Sequence, residues 1–244
     1  MYNNFAAVYD SLAFNSQYSE RAEYVADLLK KRGKNQGILL DLGCGTGNFS
    51  VAFSDRGFDV IAVDISPECL CEAQNKANGR NILFLCQDMT ELDLYGTIDC
   101  CICLFDTLNH LPDKAAFEKA IARVSLFMNP GGVFIFDVNT EYKHKFVLAN
   151  NTFVIDTDDV YLVWRNSTAG SLETRLKLDF FIKNPDGTFE KRSDSFTERP
   201  FETKYIKSVL ENNGFCNISA YKELTEDEPD EHTQRIFFVA EKEK

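Results

Sequence analysis

Three glycines at alternate positions and two carboxylates form the pattern in this chain that is best suited to chemistry. Gly43, Gly45 and Gly47 directly follow one apolar run. That run ends in Asp41, and a second apolar run ends in Asp64. Glycine lets a turn adopt positive φ and approach a ligand closely, and a carboxylate at a strand end can accept hydrogen bonds from both hydroxyls of a ribose. The pattern predicts a strand, a turn, a helix and a second strand, with a nucleotide-like ligand at the carboxyl edge of the sheet.

The spacing of the glycines distinguishes between two kinds of ligand. The dinucleotide fingerprint is Gly-x-Gly-x-x-Gly, which sets a pyrophosphate against a helix N-terminus, whereas this chain has Gly-x-Gly-x-Gly. Asp41, two residues before the first glycine, would repel a phosphate but attract an ammonium or sulfonium group. The predicted ligand is therefore an adenosine joined to a cationic amino acid, and a nicotinamide dehydrogenase is disfavoured.

Residues 41–47 (DLGCGTG) resemble, without a mismatch, the first motif of the class I S-adenosylmethionine-dependent methyltransferases. Asp64 matches the ribose-binding acid of that family. The resemblance implies S-adenosylmethionine as the cofactor, bound by Asp41, the three glycines and Asp64. It also implies cofactor contacts from three nearby residues, which are Cys44, Ile65 and Phe105.

Two later segments extend the resemblance over residues 37–138. Residues 83–89 (LFLCQDM) look like the third strand of the family, with Asp88 placed for the adenine amino group and Met89 beside the ring. Residues 129–135 (NPGGVFI) look like the turn into the fifth strand. The alternative for Asp88 is that it caps the loop after its strand, and for Met89 that it fills the core.

The segment after the fourth predicted strand is where the family places its methyl-acceptor loop. There we expect His110 as the catalytic residue that orients or deprotonates the acceptor, and Asn109 as a substrate contact. A loop histidine near the N-cap of the next helix is an equally open interpretation. An amine that arrives neutral needs no strong base, whereas an alcohol acceptor would make His110 more important.

The N-terminal segment resembles a lid found in small-molecule members of the family. Residues 5–12 (FAAVYDSL) contain Tyr9, which in those members closes over the methionine end of the cofactor. Tyr18 matches a second aromatic residue of that lid. The alternative is an amphipathic helix that docks through its aromatic side chains.

Two further residues are expected to contact the substrate. Trp164 lies on a predicted strand, and Arg199 lies in residues 197–201 (TERPF), which resemble an element of related bacterial enzymes. Those enzymes often have a histidine two residues before the acid, where this chain has Phe196, so the pattern on which an acid–base role for this segment would rest is incomplete. Arg199 could line the acceptor pocket or pair with a surface carboxylate such as Glu202.

The order of apolar runs predicts the fold that must position these residues. Between residues 37 and 138, short apolar strands alternate with helical segments, which is typical of a parallel sheet covered on both faces. Several strand-like runs separated by turn residues then predict an antiparallel meander at 151–200. The fold class is α/β, a doubly wound, seven-stranded, mostly parallel sheet with an inserted antiparallel β cap. The cofactor domain comprises 1–150 and 201–244, with an N-terminal helical lid.

Composition narrows the range of partners. The 244 residues carry a formal net charge of −12, from 26 basic and 38 acidic side chains, which argues against binding to a nucleic-acid backbone or an anionic membrane. Most of the eight cysteines lie in apolar runs, and their one-residue gaps are too short for a zinc knuckle, so no metal site is expected. With neither a basic leader nor a long apolar span, the sequence predicts a cytoplasmic protein.

Together these patterns predict S-adenosylmethionine-dependent methylation of a small molecule. The lid and cap look most like those of bacterial sugar-amine N-methyltransferases and their relatives, so an amine is the expected acceptor. Methylation of tRNA or protein is one alternative, for which a basic groove would be needed. A non-catalytic regulatory protein that binds S-adenosylmethionine is another, and only turnover separates it from an enzyme.

Overall fold

The computed structural model describes residues 15–168 and 172–244, with side chains described from Tyr18 onward. The predicted lid segment at 5–12, including Tyr9, lies outside the described residues. Five α-helices lie within the described residues. They are α1 (Asn15–Lys31), α2 (Asn48–Ser54), α3 (Pro67–Ala77), α4 (Lys114–Phe127) and α5 (Thr203–Asn212).

Seven strands form a mostly parallel sheet in the order β10-β11-β5-β4-β1-β2-β3. Only β11 runs antiparallel to its neighbours within this sheet. The predicted doubly wound fold is confirmed. The strands are β1 (Gly37–Leu42), β2 (Phe58–Asp64), β3 (Ile82–Cys86), β4 (Ile98–Cys103), β5 (Met128–Asn139), β10 (Phe215–Lys222) and β11 (Arg235–Lys242).

The central strands are apolar throughout because both faces of the sheet are covered. Leu40 of β1 and Phe136 of β5 pack on the face that is covered by α4 and α5. Leu39 and Ile135, their neighbours in sequence, pack on the opposite face with α1, α2 and α3. Alternate residues of one strand therefore belong to different cores, as the two-residue period of a strand requires.

A four-stranded antiparallel sheet is inserted between β5 and α5. Its strands are β6 (Thr152–Asp156), β7 (Val160–Thr168), β8 (Thr174–Lys183) and β9 (Phe189–Glu198). Val160, Leu162, Leu178 and Phe180 form its small core. The sequence prediction missed the single π-helical turn at Lys143–Leu148, which leads from β5 into this sheet.

No helix among the described residues has both the length and the apolar character that crossing a membrane requires.

Candidate active site

A cavity of about 580 Å³ opens at the carboxyl ends of the central strands. It extends from the glycine turn after β1 to the inner face of the small sheet, and its volume is typical of a ligand pocket. The structure brings twelve of the sequence-predicted site residues together around this one cavity. They are Tyr18, Asp41, Gly43, Cys44, Gly45, Asp64, Ile65, Asp88, Met89, Phe105, His110 and Trp164.

The three glycines serve three different purposes. Gly45 has φ of +53° and lines the cavity, and a Cβ built on it would meet no atom within 4 Å, so the backbone there has open space beside it. A Cβ on Gly43 would lie 2.3 Å from Cγ2 of Thr107, so this glycine lets the loop after β4 approach. Gly47 does not line the cavity. A Cβ built on Gly47 would lie 2.8 Å from the Cβ of Ala73, so the absence of a side chain there allows α2 to pack against α3.

The two strand-end carboxylates accept hydrogen bonds from the glycine turn, from α2 and from the residue that precedes α3. One Asp64 oxygen accepts a hydrogen bond from the Gly45 N–H at 2.8 Å, and the other accepts from the Ser66 N–H at 2.9 Å. Asp41 accepts from the Ser50 hydroxyl at 2.6 Å. Burial raises the pKa of both, that of Asp41 to about 7. Both side chains line the cavity, where carboxylate oxygens can accept hydrogen bonds from a ligand.

Asp88 caps a short 3₁₀ turn and also lines the cavity. Its Oδ1 accepts a hydrogen bond from the Thr90 N–H at 2.8 Å, which is the capping role considered from the sequence. Met89 follows at the cavity wall and also packs against the core. The two interpretations of this pair are therefore compatible with each other.

The loop after β4 has an unusual backbone that a buried acid holds in place. Phe105 and Asp106 have φ of +56° and +50°, a left-handed conformation that is rare outside glycine and often found at functional sites. Their N–H groups donate to the two oxygens of Asp137 at 2.7 and 3.0 Å. The Phe105 ring packs edge-on against Tyr18 with centroids 4.8 Å apart, and the guanidinium of Arg21 lies 5.0 Å from its centroid.

A buried ion-pair network lies beneath this loop. Arg235 of β11 pairs with Asp137 and, at 2.5 Å, with Asp106, and it lies 3.4 Å from Glu223. Glu223 also pairs with Arg21. Burial alone would raise the pKa of Asp106, but the Arg235 charge holds it below its ordinary value. Burial would lower the pKa of Arg235, but these carboxylates hold it above its ordinary value. Both groups are therefore charged at neutral pH.

His110 and Glu198 lie close together at the end of the cavity beneath the small sheet, which is called the acceptor end below because the acceptor is expected there from the sequence. His110 Nε2 and Glu198 Oε1 are 3.9 Å apart, and the His110 ring packs edge-on against Phe196. Burial, together with the charge of Asp106, raises the pKa of Glu198 to about 8. Burial also lowers the pKa of His110, so its imidazole is neutral at pH 7. Asp106, His110 and Glu198 each offer one ligand atom within 4.8 Å of the others, an arrangement that could hold a metal ion.

The structure does not place Asn109 at the cavity, which corrects its expected role as a substrate contact. Its side chain is fully buried. The amide nitrogen donates to the backbone oxygens of Arg199 at 2.7 Å and Asn139 at 3.2 Å, and the amide oxygen accepts from the Asn139 N–H at 2.9 Å. The side-chain amide therefore joins the loop after β4 to β5 and to the residue that follows β9.

Arg199 also lies away from the main cavity. Its guanidinium pairs with Glu173 at 2.9 Å, beside a smaller surface depression. The alternative of a surface ion pair is therefore observed, with Glu173 in place of Glu202. Trp164 does line the main cavity, and its indole N–H donates to Asn166 at 2.5 Å.

Several charged residues at this site were not found from the sequence. Asp137 interrupts the apolar strand β5 and Arg235 begins the apolar strand β11, and a charge within such a run is a sign of a buried pair. Lys143, Glu198 and Glu223 lie at turns or strand ends, where charge is common and carries no comparable signal.

Comparisons with known proteins identify relatives of the whole chain. A family model for a methyltransferase domain matches residues 39–132. YqeM of Bacillus subtilis (strain 168), a protein whose name assigns it to the methyltransferases, is 32% identical over 248 residues, covering 100% of this chain and 98% of its own. The crystal structure of a S-adenosylmethionine-dependent methyltransferase from Clostridium acetobutylicum ATCC 824 has a TM-score of 0.89 at 28% identity and covers 100% of this chain and 99% of its own.

A more distant structure shares the fold. CalS10, an amino pentose methyltransferase from Micromonospora echinaspora solved with bound S-adenosylmethionine, has a TM-score of 0.73 at 23% identity. The match covers 94% of this chain and 96% of CalS10.

Proposed function

Because this chain belongs to the S-adenosylmethionine-dependent methyltransferases, we propose that it transfers a methyl group to the nitrogen of a small-molecule amine. The cofactor, S-adenosylmethionine, supplies an electrophilic methyl group on a sulfonium. Transfer is an in-line displacement, so the protein must align the acceptor with that methyl group and exclude water. The observation that carries the proposal is one continuous cavity, which begins at the glycine turn and ends in carboxylates beneath the small sheet.

At the glycine-turn end, the residues present suit an adenosine joined to a cationic amino acid. The open space at Gly45 leaves room for the ligand next to the backbone. In this proposal Asp64 accepts hydrogen bonds from the ribose, and Asp88 and Met89 contact the adenine. Asp41 provides negative charge near the methionine part, and Phe105 with Tyr18 encloses it.

At the other end, the cavity suits a small, partly apolar cation. The wall formed by the small sheet is apolar and includes Leu162, Trp164 and Leu178. The polar groups opposite include the carboxylates of Asp106 and Glu198. Carboxylates favour an ammonium over a neutral alcohol, which is why we propose an amine. CalS10 acts on an amino pentose, a substrate of this class.

His110 keeps its proposed place beside the acceptor, where a neutral imidazole can orient the amine by a hydrogen bond. If His110→Ala leaves turnover unchanged between pH 6 and 9, a role as base is excluded.

A macromolecular acceptor is the weaker candidate. The net charge of −12 would repel a nucleic-acid backbone, and the small sheet covers the acceptor end of the cavity. A cytoplasmic location stays a prediction of the sequence. A regulatory protein that binds the cofactor without turnover is excluded only by measured transfer.

The experiment is a turnover assay with matched acceptor pairs that differ in one group. Glucosamine is compared with glucose, and putrescine with 1,4-butanediol, while S-adenosylhomocysteine and methylated product are followed by mass spectrometry. We expect product only from the amine of a pair. Product from the alcohols alone, or from tRNA, would overturn the amine proposal, and isothermal titration with S-adenosylmethionine and NADH tests the cofactor separately.

A further inference from the structure

Glu198 is the carboxylate at the acceptor end that the protein itself leaves available. It is the last residue of β9, lines the cavity and is 4% exposed. One oxygen accepts a long hydrogen bond from the Asn139 side chain at 3.5 Å, and the other lies 3.9 Å from His110, beyond hydrogen-bond distance. Among the described residues, no lysine or arginine forms an ion pair with it. A buried carboxylate with so few partners can bind a ligand strongly.

The neighbouring acids are already bound by arginines. Arg235 pairs with Asp106 and Asp137, and Arg21 pairs with Glu223. These carboxylates are therefore less available to a ligand, and Asp137 also holds the backbone of the loop after β4. Lys143, which also lines the cavity, donates to the Asn139 side chain at 2.8 Å.

Asn109 fixes the position of Glu198 relative to the loop. Its amide donates to the backbone oxygen of Arg199, and the Arg199 N–H donates to the backbone oxygen of Asn109 at 2.9 Å. These two bonds tie the residue after Glu198 to the residue before His110. The backbone at Glu198 is thus held next to the backbone at His110.

We propose that Glu198 is the catalytic residue that takes a proton from the ammonium form of the acceptor, an inference that rests on the proposed function. The proton passes from the ammonium nitrogen to a Glu198 oxygen, which frees the nitrogen lone pair. The nitrogen then forms a C–N bond to the methyl carbon as the S–CH₃ bond breaks and its electron pair stays on sulfur. The product is a methylated ammonium with S-adenosylhomocysteine, and Glu198 returns its proton to water.

The surroundings of Glu198 support this role. The titratable groups that face it are Asp106 and His110 from the loop after β4, Lys143 from the turn after β5, and Arg235 from β11. Burial and Asp106 bring its pKa to about 8, while Lys143 and Arg235 act in the opposite direction. A base is most effective when its pKa lies near the working pH.

An ammonium is a better occupant for this position than a metal ion. Asp106, which would be one of three metal ligands, already pairs with Arg235 at 2.5 Å. Lys143 lies close enough to influence the titration of Glu198. A divalent ion would be repelled by both cations, whereas an ammonium can donate to Glu198 alone.

The test uses sinefungin, an analogue in which an amine-bearing carbon replaces the sulfonium and its methyl group. Its ammonium would lie within about 3 Å of the position of the acceptor nitrogen. Binding of sinefungin and of S-adenosylhomocysteine, which lacks this amine, is measured by calorimetry at pH 7 after dialysis against EDTA. Buffers of different ionisation enthalpy give the protons released. The proteins are wild type, Glu198→Gln and the control Glu190→Gln, an exposed residue of the same strand.

We expect wild type and E190Q to prefer sinefungin, and to release up to about one more proton with it than with S-adenosylhomocysteine as Glu198 ionises. In E198Q the preference should fall about tenfold or more and the extra proton should disappear. Equal preference and equal proton release in wild type and E198Q would overturn the proposal. So would loss of S-adenosylhomocysteine binding in a folded E198Q, because Glu198 would then be structural.

If E198Q does not fold, the test is the pH dependence of proton release by wild type. Extra proton release with sinefungin that declines around pH 8 supports Glu198 as the base, and no extra release at any pH overturns the proposal. Failure of the proposed amine methylation gives a different experimental result. In that case, the matched acceptors give no amine product, while both cofactor analogues still bind.

Discussion

Asp64 is the residue whose local geometry constrains a ligand most directly. Two backbone N–H groups, from Gly45 and Ser66, fix both oxygens of its carboxylate. An acid held by main-chain donors keeps its orientation, and Asp64 lines the cavity. A mutation of Asp64 can therefore measure its contribution to ligand binding separately from its contribution to folding.

We expect Asp64→Ala to weaken binding of S-adenosylmethionine by about tenfold to a hundredfold, because charge-assisted hydrogen bonds to the ribose are lost. Isothermal titration measures the change. Asp59→Ala, an exposed residue on the same strand, is the matched control and should bind as wild type does. Unchanged binding in D64A would remove Asp64 from the cofactor site.

Glu198 should also influence how stability depends on pH. Its pKa is raised from 4.5 to about 8 in the folded protein, so between these values the folded state binds more protons than the unfolded state. The stability it contributes is fully present below pH 4.5 and is lost as pH rises towards 8. We expect the melting temperature of wild type to fall relative to that of E198Q between pH 6.5 and 8.5. A constant difference across this range would show that Glu198 does not titrate there.

At the scale of elements, the site depends on how closely two loops approach each other. The glycine turn after β1 meets the loop after β4 at Gly43 and Thr107, where a single Cβ would clash. Gly45 has a similar positive φ but open space around it. These two glycines therefore separate backbone strain from close packing.

We expect Gly45→Ala to cost about 1 kcal/mol of unfolding free energy, because only the positive φ is strained. Gly43→Ala should cost about 1–3 kcal/mol more, since it also overpacks against Thr107. Thr107→Ser removes the clashing methyl group and should recover part of the Gly43→Ala loss in a double-mutant cycle. Denaturant unfolding measures these free energies. If the coupling energy of Thr107→Ser were the same with Gly43→Ala as with Gly45→Ala, the close contact between residue 43 and Thr107 would be contradicted.

Asn109 joins three elements through hydrogen bonds in a fully buried place. We expect Asn109→Ala to lower the unfolding free energy by about 3 kcal/mol, because it leaves buried backbone groups without partners. Asn129→Ala, which removes one part-buried bond to Asp99 at 3.0 Å, should cost about 1 kcal/mol. Similar losses in the two variants, measured by urea unfolding, would contradict the joining role of Asn109.

At the scale of the whole molecule, two sheets enclose one cavity and the chain carries a net charge of −12. The larger sheet provides the strand ends that hold the glycine turn and the acids. The smaller sheet provides the apolar wall and Glu198. Both the enclosure and the charge favour a small cation over a polyanion.

We expect no retardation of tRNA in a mobility-shift assay with about 10 μM protein at 150 mM salt, because phosphate contacts would need a basic surface. A shift that weakens steeply with salt would instead favour the tRNA alternative. The matched amine and alcohol acceptors then decide between the remaining classes of substrate.

How much the sequence alone could predict depends on the range of the interactions involved. The period of apolar residues and the turn residues between them are local signals, so the predicted alternation of strands and helices between residues 37 and 138 agrees with the structure. The glycine turn with Asp41 and Asp64 is likewise local, because one turn and two adjacent strands position all of it. The separate antiparallel sheet was predicted from its turns.

Only the tertiary structure decided which residues meet at the acceptor end of the cavity. Glu198 and Asn109 are distant in sequence, and their proximity follows from the return of β9 to the loop after β4. Burial then separates residues that look alike in the sequence: Asn109 becomes a structural link, Arg199 a surface ion pair and Glu198 a carboxylate with a raised pKa. Local patterns determine which elements form, whereas burial and long-range pairing determine the charge and role of each side chain.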